Sequence, residues 1–185
     1  MSEEKQMNTR KTIKNSHENY VINQFIAWYN KRHRTRYTIV DKPDPPDAIV
    51  RSSRRTQWIE HCDIYRNEEE AREEYSAIVP GEQFVPHSEH PIFEPDKRTA
   101  SALLAAIANK LSKTSYEDYV IKYGKGILIT NERDSLFSST TIQAMRKILG
   151  TQIDIEASHF KSVYLGFRVR NGLQFTKLLP KRIRT

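Results

Sequence analysis

Apolar and polar positions follow two different spacings along the chain, and together they predict both helices and strands. Residues 16–30 carry apolar side chains three and four positions apart, behind Ser16 as a helix cap, which is typical of a helix with one buried face. The same spacing recurs at 97–113 and at 138–149, where Gly150 should end the helix. Short apolar or alternating runs, typical of strands, lie at 37–40, 48–50, 57–65, 127–130, 162–169 and 173–176.

The order of these elements is helix, three strands, helix, strand, helix and two strands. This order predicts an α/β fold with a mixed central β-sheet flanked by helices. Asn171-Gly172 is a favoured two-residue turn, so the last two strands should form a C-terminal hairpin. We expect a single domain over 15–180, a flexible basic arm at 1–14 and a basic tail at 181–185.

Composition places the chain among soluble globular proteins, with 37% hydrophobic and 29% charged residues in a length of 185. No apolar run is long enough to span a membrane, and the N-terminus lacks the apolar core of a signal peptide. Cys62 is the single cysteine and excludes an intrachain disulfide. These features predict a cytoplasmic protein without membrane partners.

A net charge of +7 favours polyanionic partners such as DNA or RNA. Two basic clusters could grip a phosphate backbone without reading bases, one after the first predicted helix and one in the turn before residue 57. Their members are Arg32, Arg34, Arg36, Arg51, Arg54 and Arg55. A solvated charged surface is the alternative for both clusters. The sequence leaves open which nucleic acid binds, and whether the chain forms a homo-oligomer or takes a protein partner.

A predicted hairpin could bring two carboxylate side chains close together. Asp47 opens the strand at 48–50, and Glu60 lies in the middle of the strand at 57–65. A hairpin of these strands would set the two carboxylates side by side, as a site for a hard cation such as Mg²⁺ or Mn²⁺. A carboxylate inside an apolar strand also costs free energy unless it is paired, which is a reason to expect function at Glu60.

Pro46-Asp47 followed by Glu60-His61-Cys62 resembles the motif of the PD-(D/E)xK nuclease superfamily, which has the restriction-endonuclease-like fold. The resemblance implies a core of helix, three strands, helix and strand, to which the C-terminal hairpin is added. It implies a Mg²⁺- or Mn²⁺-dependent nuclease that hydrolyses phosphodiester bonds of nucleic acid. Asp47 and Glu60 would be catalytic metal ligands, the backbone carbonyl of His61 a further ligand, and Glu18 an acidic group reaching the metal from the first helix. An ordinary first-turn glutamate is the alternative for Glu18.

The chain departs from the motif at Cys62, which stands where the superfamily usually has lysine. Alternation along a strand puts Glu60 and Cys62 on one face and His61 on the other. Lys110, on the helix at 97–113, resembles a lysine that has migrated to a neighbouring helix and would be catalytic. The alternative is that Lys110 has no catalytic role: its apolar stem would lie along the core and its ammonium group would reach water.

Second-choice catalytic residues are Lys113, Tyr116 and Cys62 itself, although a buried filler is the more common role of such a cysteine. The missing lysine also supports a different function, a catalytically inactive nuclease-fold module that binds nucleic acid or a protein. A small-molecule phosphohydrolase is disfavoured, because Gly124-Lys-Gly126 is too short to cradle a phosphate.

Overall fold

The structure is a computed structural model that describes residues 3–65, 73, 76–77, 95–132, 139–169 and 172–180. The helices within these ranges are α1 Glu3–His33, α2 Pro95–Leu111, α3 Glu117–Tyr123 and α4 Ser139–Gln152, with a 3₁₀ turn at Thr114–Tyr116. The strands are β1 Thr38–Asp41, β2 Ala48–Arg51, β3 Thr56–Ile64, β4 Gly126–Glu132, β5 Phe160–Val169 and β6 Gly172–Leu179.

The six strands form one mixed sheet in which they lie side by side in chain order. Strands β1, β2 and β3 pair antiparallel, β3, β4 and β5 pair parallel, and β6 returns antiparallel to β5. Parallel neighbours need a crossover connection, and α2 and α4 lie in the two crossovers of this sheet. The predicted mixed α/β architecture and the β5–β6 hairpin are therefore confirmed.

Helices cover both faces of the sheet. The first face packs against α1 through Val21, Ile22, Phe25 and Ile26. The second face packs against α2 and α4, with Trp58, Leu128 and Leu165 of the sheet in the same cluster as residues of those helices. Strand β4 is buried at all seven positions, as expected of a parallel strand that is covered on both faces.

Three boundaries differ from the prediction by three residues or more. Helix α1 begins at Glu3 rather than near Ser16, so residues 3–14 are helical and not an irregular arm. This segment has almost no apolar stripe, but it is rich in Glu, Lys, Gln and Arg, which have good intrinsic helix propensity. Helix α4 passes through Gly150 and ends at Gln152, because one helical glycine costs only about 1 kcal/mol.

Strand β6 continues to Leu179 rather than ending at 176. The predicted basic tail at 181–185 lies outside the described residues. Among the helices that the structure describes, none combines the length and the apolar character that crossing a membrane requires.

Candidate functional site

The hairpin of β2 and β3 brings Asp47 next to Glu60. Ala48 pairs with Ile59, so the preceding residue, Asp47, reaches the level of Glu60 on the neighbouring strand. The Oδ2 atom of Asp47 accepts a hydrogen bond of 2.7 Å from the backbone N–H of His61. Glu60 is only 3% exposed, so this carboxylate lies inside the fold.

Asp47 lies in a field of negative charge. Burial raises its pKa from 3.8 to about 6, and the charge of Glu60 adds to that rise. The hydrogen bond from His61 opposes the rise, whereas the charge of Glu18 adds a further, smaller increase. The raised pKa of Asp47 thus reflects burial first and repulsion by Glu60 second, and a bound cation would oppose both effects.

Lys110 of α2 supplies a positive charge to this group. Its Nζ atom lies 2.5 Å from Oε1 of Glu60. Burial alone would lower the pKa of Lys110, but the Glu60 carboxylate raises it above its ordinary value, and Cys62 and Asp47 contribute in the same direction. The ammonium group therefore remains charged and sits among Glu60, Asp47 and Cys62.

The three second-choice residues have different surroundings. Burial raises the pKa of Cys62 to about 12, so its side chain is a neutral thiol at neutral pH. Tyr116 is fully buried, and burial together with the nearby Glu60 charge raises its pKa. Lys113 is exposed just before the 3₁₀ turn, and none of its described contacts joins it to the carboxylates.

The donor atoms at this site fit a hard divalent cation. Oε2 of Glu60 is buried and makes no hydrogen bond of normal geometry to a described residue, although the Tyr116 hydroxyl lies near this carboxylate and a buried carboxylate oxygen ordinarily has a partner. An extended strand points the N–H and C=O of one residue to the same side, so the carbonyl of His61 faces the side of Asp47. Asp47, Glu60 and this carbonyl are the oxygen ligands that would hold Mg²⁺ or Mn²⁺.

Glu18 acts on Asp47 only through its charge. Its carboxylate pairs with Lys14 at 3.5 Å, one turn away on α1. Glu18, Asp47 and Glu60 do not form a set whose donor atoms all lie within 4.8 Å of one another. Glu18 therefore does not complete a three-carboxylate metal site with Asp47 and Glu60.

The predicted phosphate-binding arginines are all exposed, and they lie at one end of the sheet. Thr38 pairs with Arg51, which places the chain segment 31–36 beside the turn between β2 and β3. Asp47 lies at the opposite end of β2, four residues or about 13 Å from that turn. The arginines therefore flank the carboxylate site along the hairpin instead of surrounding it. They are Arg32, Arg34, Arg36, Arg51, Arg54 and Arg55.

A second polar cluster, absent from the sequence prediction, lies on the α1 face of β3. Nε2 of His17 is 3.0 Å from Oδ1 of Asp63, and Nε2 of His61 is 3.4 Å from the same oxygen. Alternation along β3 indicates that His61 and Asp63 share a face, but nothing local to His17 indicates that α1 brings it there.

Comparison of the chain with protein-family models, with curated proteins and with solved structures finds no match. The function of the protein must therefore be argued from the arrangement of its own residues. The carboxylate pair with Lys110 is the arrangement with the clearest chemistry.

Proposed function

We propose that this chain is a metal-dependent nuclease that hydrolyses phosphodiester bonds of nucleic acid, with Mg²⁺ or Mn²⁺ held by Asp47 and Glu60. The observation that carries the proposal is the contact of 2.5 Å between Lys110 Nζ and Glu60 Oε1. The lysine of the resembled motif stands two positions after the acidic residue, where this chain has Cys62. Lys110 delivers the same charge to the same carboxylate from α2.

The order of elements supports this proposal. The chain runs from α1 through β1, β2 and β3 to α2, the short helix α3 and β4, an order compatible with the helix, three strands, helix and strand of the resembled core. Asp47 and Glu60 occupy the β2–β3 hairpin within that order. Strands β5 and β6 with α4 extend the sheet on the far side of β4, away from the carboxylates.

Each residue then has a chemical task. Asp47, Glu60 and the His61 carbonyl hold the divalent ion, which when bound polarises the phosphoryl group and activates water. Lys110 offers a fixed positive charge to the negative charge that develops on the phosphoryl oxygens. Burial of Glu60 lowers the local dielectric constant, which strengthens both effects. The exposed arginines contact the phosphate backbone and add affinity without sequence preference.

Cys62 favours a second function, a nuclease fold without catalysis that binds nucleic acid or a protein partner. A thiol with a pKa of about 12 carries no positive charge and cannot replace the lysine of the motif by itself. The two functions differ in one requirement. Catalysis needs a divalent ion bound by Asp47 and Glu60, whereas a binding module does not.

A cleavage assay tests the proposed activity. The full-length protein, freed of metal with a chelator, is incubated with plasmid DNA, single-stranded DNA or RNA, and Mg²⁺ or Mn²⁺ is then added. We expect ion-dependent cleavage of at least one substrate, and its loss in Asp47→Asn and in Glu60→Gln. Lys113→Ala is the matched control, because Lys113 is exposed and makes no described contact with the carboxylates. Cleavage that survives both carboxylate substitutions would refute the site. A chain that cleaves none of these substrates but binds them would support the non-catalytic module.

A further inference from the structure

The cluster of His17, Asp63 and His61 lies on the opposite side of β3 from Lys110. Asp63 Oδ1 is the shared centre of the cluster, with an imidazole nitrogen at 3.0 Å from His17 and another at 3.4 Å from His61. One donor atom from each of the three residues lies within 4.8 Å of the other two. We propose that these residues bind a divalent first-row transition-metal ion, with Zn²⁺ as the ion best suited to the donors.

The spacing of the donors matches such an ion. Nitrogen and oxygen ligands lie about 2.0–2.1 Å from Zn²⁺, so neighbouring ligands of a tetrahedral site are about 3.3 Å apart. Two of the three separations, 3.0 and 3.4 Å, bracket that value, and the donor atoms of the third pair, His17 and His61, lie within 4.8 Å of each other. Two imidazoles and one carboxylate form a donor set that suits Zn²⁺ and its neighbours, whereas Mg²⁺ prefers oxygen ligands alone.

His61 gives the second, independent indication. Its side chain is only 1% exposed, yet neither Nδ1 nor Nε2 makes a hydrogen bond of normal geometry to a described residue, and the nearest acceptor of Nε2 is Asp63 Oδ1 at 3.4 Å. A buried polar group without a partner is costly, so native structures almost always satisfy it. A metal ion between His61, Asp63 and His17 would satisfy the Nε2 atom.

A polar neighbour on the sheet holds the Asp63 carboxylate in place. Asn131 on β4 donates a hydrogen bond of 3.2 Å to Oδ1, which helps to fix the carboxylate. The His17 side chain is 24% exposed, so the cluster is open to solvent at its edge. The alternative is a cluster without metal, in which His17 bonds Asp63 directly and ties α1 to the sheet.

Alternation separates this site from the proposed nuclease site. Glu60 faces α2, whereas His61 and Asp63 face α1, so the two sites lie on different faces of β3. The proposed ion would join α1 to β3 and stabilise the packing of that helix. The metal preference of each site differs as well, which lets one experiment distinguish them.

The test is titration of the full-length, metal-free protein with Zn²⁺ by calorimetry, and with Co²⁺ followed by its visible absorption. We expect one equivalent to bind. His17→Ala should weaken binding by about 100-fold or more, because loss of a residue that only orients a metal ligand already costs about 10- to 100-fold in affinity. His17 is the best position to change, because it is partly exposed and alanine suits a helix. Asp63→Asn should have the same effect.

Two controls make the outcome decisive. His33→Ala removes another α1 histidine, whose ring packs against Tyr29 at a centroid distance of 4.2 Å. It should leave binding unchanged, because His33 lies about 24 Å from His17 along the same helix. Asp47→Asn should also leave Zn²⁺ binding unchanged, even if it abolishes nuclease activity. No binding by the unaltered protein would overturn the proposal, as would equal binding by His17→Ala. Binding that is lost in Asp47→Asn but kept in His17→Ala would place the ion at the carboxylates and would overturn it too.

Discussion

Glu60 is a carboxylate inside a strand whose neighbours Trp58 and Ile59 are fully buried, and Lys110 provides its counter-charge. Two interactions between charges that are remote in the sequence define the proposed active site at this scale. The first is the effect of the Glu60 charge on Asp47 across a hairpin, and the second is the contact of Glu60 with Lys110 across fifty residues.

Lys110→Met keeps the apolar stem of the side chain and removes its charge. We expect nuclease activity to fall about 100-fold or more, because a positioned donor to the developing negative charge is lost. The free energy of unfolding should fall by about 3 kcal/mol, since Glu60 is left buried without its partner. Kinetic assays and urea unfolding measure the two effects. Lys113→Met is the matched control, and equal activity of the two variants would contradict the role of Lys110.

Asp47→Asn should stabilise the metal-free protein at neutral pH. The folded-state pKa of about 6 lies above the unfolded value of 3.8, so the folded state holds more protons between these limits. Stability from Asp47 is therefore present below pH 3.8 and lost as the pH rises to about 6. The preference for the protonated carboxyl corresponds to up to about 3 kcal/mol.

Urea unfolding of the two proteins at acid and neutral pH measures this effect. The variant should gain stability relative to the unaltered protein as the pH rises through the window, while its affinity for Mg²⁺ falls. A stability difference that stays constant with pH would show that ionisation of Asp47 does not destabilise the fold.

At the scale of elements, the close packing of β3 on β4 depends on Gly126. A β-carbon at this position would lie 2.5 Å from ring atoms of Trp58. The indole cannot move aside easily, because Tyr116 and Phe160 pack against it at ring distances of 5.3 and 5.0 Å. Its Nε1 also donates a hydrogen bond of 2.7 Å to the carbonyl of Gly124.

Gly126→Ala should therefore lower the free energy of unfolding by about 1–3 kcal/mol, the usual cost of overpacking a core. Denaturant unfolding measures the loss. Gly150→Ala, at an exposed position inside α4, is the control and should be neutral or stabilising, because alanine is the better helix former. If both substitutions had the same effect, the contact with Trp58 would not be the cause.

The sequence predicts the strands well where periodicity is strong and fails where polar residues form structure. The apolar alternation of 57–65 marks β3, and the spacing of Asp47 and Glu60 then follows from the hairpin. Residues 3–14 lack such a signal, so the start of α1 could not be found from its pattern. His17 meets Asp63 only because α1 packs across the sheet, a tertiary contact over 46 residues that no local pattern encodes.

The whole molecule carries a net charge of +7, and its exposed arginines at the β2–β3 turn should make nucleic-acid binding dependent on salt. Replacing Arg51, Arg54 and Arg55 by alanine should weaken binding and reduce the slope of log affinity against log salt by up to about 3. Fluorescence anisotropy with a labelled DNA or RNA measures the slope. Removal of three exposed lysines elsewhere, Lys113, Lys122 and Lys147, is the charge-matched control. An equal reduction by both sets would indicate a general effect of charge, not a binding surface at the turn.

The central claim, a divalent ion between the carboxylates of Asp47 and Glu60, is tested most directly by a crystal of the protein soaked in Mn²⁺. The ion scatters anomalously, so its position can be read without a bound substrate. We predict an anomalous peak in contact with Asp47, Glu60 and the carbonyl of His61. A crystal that binds Mn²⁺ only beside His17, His61 and Asp63, or that binds none, would contradict the claim.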